Sequence, residues 1–240
     1  MKKQRLTRAF WLSWLIRGGA AGLTLQAASA HQFWLERTQD GKFIARFGEA
    51  GSNGEKPGYE KSPGVLDKMQ GISVWSMYPA KSGIEPELYK AKPQEDGFLV
   101  EDASAKLPLL AQTTFPVRKR AATAERPASA SFTTAFARWQ PAGATGEPTT
   151  TLDVIPAAEG GKATVYYKGK PVAGARVTLF SPTAEPLRME SDAAGNVTFK
   201  AGGKGDFILW AHHSEPATGT YLGTDYTSLS YMICLCWRVE

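Results

Sequence analysis

The most constraining property of this chain is how often it is interrupted. Short runs of Val, Ile, Thr, Tyr, Phe and Trp recur along it, each soon broken by Gly, Pro, Asn or Asp. Short runs of that kind between turn residues satisfy a strand and are too brief for a helix. No segment sustains a 3.6-residue apolar period over three or four turns, as a helix needs in order to bury one face. With 24 Gly and 15 Pro in 240 residues, turn positions are frequent enough to divide the whole chain this way. The expectation is an all-β protein.

Before residue 140 the pattern predicts strands over 31–37, 42–47, 72–78, 98–101 and 131–139. Asp40-Gly41 is a hairpin turn signal between the first two. Residues 50–64 and 119–130 read as polar loops. The stretch 140–150 is rich in Pro and Gly, has no apolar period, and marks a boundary between domains at 31–145 and 146–240. Beyond it, strands are expected over 151–155, 163–167, 172–180, 197–199, 207–210 and 226–239. That spacing suits a small antiparallel sandwich. The full expectation is two small antiparallel β-sandwich domains.

Residues 1–30 read as a secretory signal peptide. Lys2, Lys3, Arg5 and Arg8 precede apolar stretches, and Ala28-Ser29-Ala30 supplies a small-x-small cleavage pattern. Five of the chain's 28 basic residues fall in this segment and none of its 23 acidic ones, so residues 31–240 are formally neutral. A nucleic-acid partner, which calls for a basic surface, is not expected. Arg118-Lys119-Arg120, the one basic trio, reads as part of a solvated loop. After His31 no run approaches the ~20 apolar residues of a membrane span.

Cleavage after Ala30 would leave His31 with a free α-amine beside its imidazole, two nitrogens able to chelate one transition metal. The only other histidines are the adjacent His212 and His213. Alternation along a strand sends neighbours to opposite faces, so both can serve one ion only where the strand ends or bulges. Ser214-Glu215-Pro216 suggests such an end. Imidazole nitrogens suit Ni²⁺, Co²⁺, Cu²⁺ and Zn²⁺, and Glu49 or Glu215 can add an oxygen. The expected metal set is His31, His212, His213 and Glu49.

Cys234 and Cys236 share one face of a strand and read as small buried residues, since a disulfide between them would close a strained ring. Met69 and Met77 read as core filling, and Trp34, Trp75, Trp139, Trp210 and Trp237 as core aromatics. The sequence contains no H-E-x-x-H, G-x-S-x-G, C-x-x-C or phosphate-cradling Gly-Lys loop.

Several of these segments carry a family likeness. Ala30-His31-Gln32-Phe33-Trp34-Leu35-Glu36, Phe47-Gly48-Glu49, Thr151-Leu152-Asp153-Val154-Ile155-Pro156, Gly169-Lys170-Pro171-Val172-Ala173-Gly174-Ala175 and Asp192-Ala193-Ala194-Gly195 together span most of residues 31–240. In them the chain resembles bacterial periplasmic components of cobalt and nickel transport systems. The resemblance implies a C-terminal prealbumin-like sandwich and a periplasmic location. It also implies binding of Ni or Co, with Cu possible, as an accessory to a membrane metal transporter or outer-membrane receptor. Met232-Ile233-Cys234-Leu235-Cys236 departs from the family's plain alternating last strand. Two rivals stand beside this reading. One is a copper histidine-brace oxidase with Tyr226 or Tyr231 as axial ligand. The other is a metal-free interaction module of the cell envelope.

Overall fold

A computed structural model describes residues 31–76, 85–104, 106–141, 143–200 and 202–240. The expected signal peptide at 1–30 lies outside them, as do Met77 and the end of the strand expected over 72–78. In chain order the strands of the first half are β1 (Gln32–Arg37), β2 (Phe43–Glu49), β3 (Gly58–Tyr59), β4 (Ile72–Ser76), β5 (Leu88–Tyr89), β6 (Ala91–Gln94), β7 (Gly97–Val100), β8 (Leu109–Arg120) and β9 (Ser129–Trp139). The second half supplies β10 (Leu152–Pro156), β11 (Lys162–Tyr167), β12 (Lys170–Pro171), β13 (Arg176–Ser181), β14 (Ala184–Glu190), β15 (Asn196–Thr198), β16 (Gly205–Tyr221) and β17 (Thr224–Val239). The fold is all-β as the sequence predicts. Among the described residues no helix is long and apolar enough to cross a membrane.

The strands form three sheets. The middle one has eight strands in the order β14-β13-β16-β17-β9-β8-β4-β5. One face is covered by β1-β2-β7-β6, with β3 paired to β2, and the other by β10-β11-β12, with β15 paired to β11. Alternation explains how one sheet feeds two cores. Cys234 and Cys236 of β17 point to the first core beside Phe33, Trp34 and Trp139. Ile233 and Leu235, their immediate neighbours, point to the second beside Leu152, Val165 and Leu209. Both cysteines are free and buried, and Met69 is a core residue.

Pairing is antiparallel except between β9 and β17, which run parallel from Ser131↔Ser228 to Trp139↔Cys236. The segment 140–150, expected to separate two domains, links β9 to β10, and the middle sheet takes strands from both sides of it. A buried ion pair fixes that link. Asp153 accepts from Arg138 Nε at 2.9 Å and Nη2 at 2.7 Å, and from the Thr149 backbone N–H at 2.9 Å.

Two differences from the expected strands bear on function. Residues 109–120 form a central strand although Pro116 lies within them, because β8 carries a bulge between Phe115 and Arg118 that takes the proline out of the ladder. The strand expected at 207–210 runs on through Tyr221 and bulges only between Pro216 and Gly219, so it does not end at the histidine pair.

Candidate functional site

β1 and β2 cover only part of the face they pack on. Where they stop, the long strands β8, β9, β16 and β17 continue and line a cleft of about 910 Å³. Its inner end is aromatic, with Phe47, Phe115 and Trp210, while further out the sheet presents serine, threonine and arginine. The change follows the strands: β17 goes from Cys236 and Cys234, under β1, to Met232, Ser230 and Ser228 in the cleft.

His31 stands at the mouth of β1, its ring against Phe47 with centroids 5.4 Å apart. Its Nε2 contacts the Glu60 carboxylate. Glu60 is placed by backbone geometry, since its N–H donates to the Phe47 carbonyl at 2.8 Å as β3 pairs with β2. That approach depends on Gly48. Its φ is +150°, and a Cβ there would lie 2.0 Å from the Gly58 carbonyl oxygen.

His212 lines the same cleft from β16. Its Nε2 shares a hydrogen bond of 2.9 Å with the Ser230 hydroxyl, and its ring stacks on Trp210. Water reaches His212 from the cleft mouth, yet the surrounding walls remove enough solvent to hold its pKa below the usual imidazole value. The charge of His213 adds to that lowering. Both effects disfavour the charged form of the His212 ring, the form that cannot bind a metal. In register, His212 pairs with Met232, which also lines the cleft. The Phe33 and Leu35 backbones lie beside the Cys234 and Cys236 thiols. Stepping back two residues along β1 and β17 brings His31 to the level of Met232.

The cleft therefore unites His31 and His212 but not the other two expected ligands. Because β16 does not end at the pair, His213 faces the opposite side, where its ring packs on Tyr167 at 4.0 Å. Glu215 lies on that side too, bonded to Lys168 at 3.0 Å. Glu49 is exposed and does not line the cleft. Neither tyrosine of the copper-oxidase reading lines it either: Tyr231 packs against Tyr167, and Tyr226 against Phe132. Among the described residues, no three His, Cys, Asp or Glu side chains are gathered closely enough to hold a metal together.

Sequence reasoning missed Glu60, Met232, Arg118 and Arg120. The basic trio, expected in a loop, ends strand β8, and two of its members face the cleft. The one available signal was Pro116, a residue that within a strand marks a bulge. Comparison with family models, with curated proteins and with solved structures finds no match for this chain.

Proposed function

We propose that this is a periplasmic transition-metal-binding protein that takes up Ni²⁺ or Co²⁺ and delivers it to a membrane transporter or an outer-membrane receptor. The observation that carries the reading is the meeting of His31 and His212 in one cleft, from chain positions 181 residues apart. If the chain is cut after Ala30, His31 offers an amine and an imidazole beside the Glu60 carboxylate. His212, which shares the cleft but is not gathered with them into a ready three-ligand set, supplies a further nitrogen when the ion draws it in. Reversible coordination needs nothing more, and the resemblance to cobalt and nickel transport components points the same way. Met232 brings a soft thioether to the same end of the cleft, which favours copper as a second reading.

Calorimetry on the chain beginning at His31 tests this. Ni²⁺ binds, and one extra residue before His31 weakens it at least about tenfold, which corresponds to ~1.4 kcal/mol. His212→Ala weakens it similarly. Cu²⁺ binds more tightly than Ni²⁺ whatever the physiological cargo. Equal Ni²⁺ affinity with and without the extension would exclude the amine as a ligand.

A further inference from the structure

We propose, building on the metal reading above, that the cargo enters as an anionic carboxylate chelate of the metal, and that Arg118 and Arg120 hold the chelator. Size is the first argument. A hydrated ion with six waters, at ~30 Å³ each, fills roughly 200 Å³, whereas the cleft measures about 910 Å³.

Charge is the second argument. Residues 31–240 are neutral in sum, yet the cleft gathers Lys68, Arg118 and Arg120 against Glu60 alone, and Glu60 is engaged by His31. No carboxylate of the described residues pairs with any of the three cationic side chains. Such a site repels a bare divalent cation and attracts a complex whose ligands reverse its sign.

The bulge in β8 is the third. On β8 the positions facing this side are Leu109, Ala111 and, in the cleft, Phe115. Unbroken alternation would bring Val117 and Lys119 to that face. The bulge between Phe115 and Arg118 inserts one residue, so Arg118 and Arg120 face the cleft instead. Beside them the sheet presents hydroxyls paired in register, Ser131 with Ser228 and Thr133 with Ser230. Guanidinium forks and hydroxyls together suit carboxylate and hydroxy-acid oxygens.

Spacing joins the two ends. Arg118 is level with Ser131, and Met232, the partner of His212, is level with Ala135. Four strand residues separate those levels, about 13 Å at ~3.3 Å per residue. Three strand steps of ~4.8 Å lie between β8 and β16, so the two backbones are about 20 Å apart and the long Arg118 side chain spans part of that gap. An ion bonded to His212 at ~2 Å cannot touch Arg118, but a polycarboxylate on that ion extends toward it.

The test is calorimetry with four probes: Ni²⁺ alone, the anionic 1:1 Ni(II)–citrate complex, citrate alone, and neutral Ni(II) bis-histidine. Wild-type protein binds Ni(II)–citrate at least about tenfold more tightly than Ni²⁺ or the neutral chelate, and the preference shrinks as salt rises. Arg118→Gln with Arg120→Gln abolishes the preference while Ni²⁺ alone binds no more weakly than to wild type, because the charge that opposes a bare cation is removed. His212→Ala weakens both nickel forms. Equal binding of the anionic and neutral chelates, or a preference that survives the double substitution, overturns the proposal while the metal reading stands. Citrate alone binding as tightly as its nickel complex, indifferent to His212→Ala, overturns the metal reading and this proposal with it.

Discussion

Replacing Asp153 by Ala isolates the best-defined polar interaction in the fold. Arg138 is 1% exposed and Asp153 0%. The carboxylate takes two guanidinium hydrogen bonds at 2.9 and 2.7 Å and the backbone N–H groups of Thr149 and Val154, both at 2.9 Å. Without it, the guanidinium keeps, among the described residues, only the Thr149 hydroxyl at 3.2 Å, a neutral partner for a buried charge. Removing one member of such a pair costs about 3–5 kcal/mol. For a chain of this size, 1 kcal/mol shifts the midpoint by ~2–4 °C, so the expected fall in Tm is roughly 6–20 °C. Urea unfolding followed by circular dichroism and by tryptophan fluorescence gives the free energy directly. Arg138→Met combined with Asp153→Leu recovers most of the loss, because an apolar pair of similar volume leaves no charge stranded. A loss below about 1 kcal/mol for Asp153→Ala, the level of an exposed ion pair, would refute the claim that this link is sealed from water.

Two further predictions concern the elements around the cleft. Gly48→Ala drives a Cβ into the Gly58 carbonyl and displaces the strand that carries Glu60, costing about 1–3 kcal/mol and weakening Ni²⁺ binding, measured by denaturation and calorimetry in parallel. Burial pushes the Cys234 and Cys236 thiols well above the ordinary range, so neither reacts with a thiol reagent at pH 8 until the protein is unfolded; rapid labelling of the native chain would contradict the buried placement.

Local patterns were easy to read. The strands expected at 31–37 and 42–47, and the Asp40-Gly41 turn between them, correspond closely to β1 and β2. Strands that contain a proline were not. Pro116 and Pro216 each sit beside a bulge inside a long strand, and a reading built on unbroken runs misses β8 and stops β16 short. The parallel pairing of β9 with β17 leaves no local trace, since strands distant in sequence meet through the packing of the whole chain. The same limit governed the site. His31 and His212 stood out as rare residues, but which histidine of the pair faces the cleft depends on where β16 ends. The facing of Arg118 and Arg120 depends on a one-residue insertion, and Glu60 enters only through the close approach at Gly48.

The seam between β9 and β17 also shapes how the chain can be made. Ala130 meets Thr227, 97 positions later, so the leading half emerges with one flank of its main sheet unclosed. Loop-closure entropy makes such distant zipping slow, and an open flank of this length is a template for a second newborn copy. Maturation therefore requires that the tail arrive before a neighbour does, and truncation even a dozen residues short of the end would leave that flank bare.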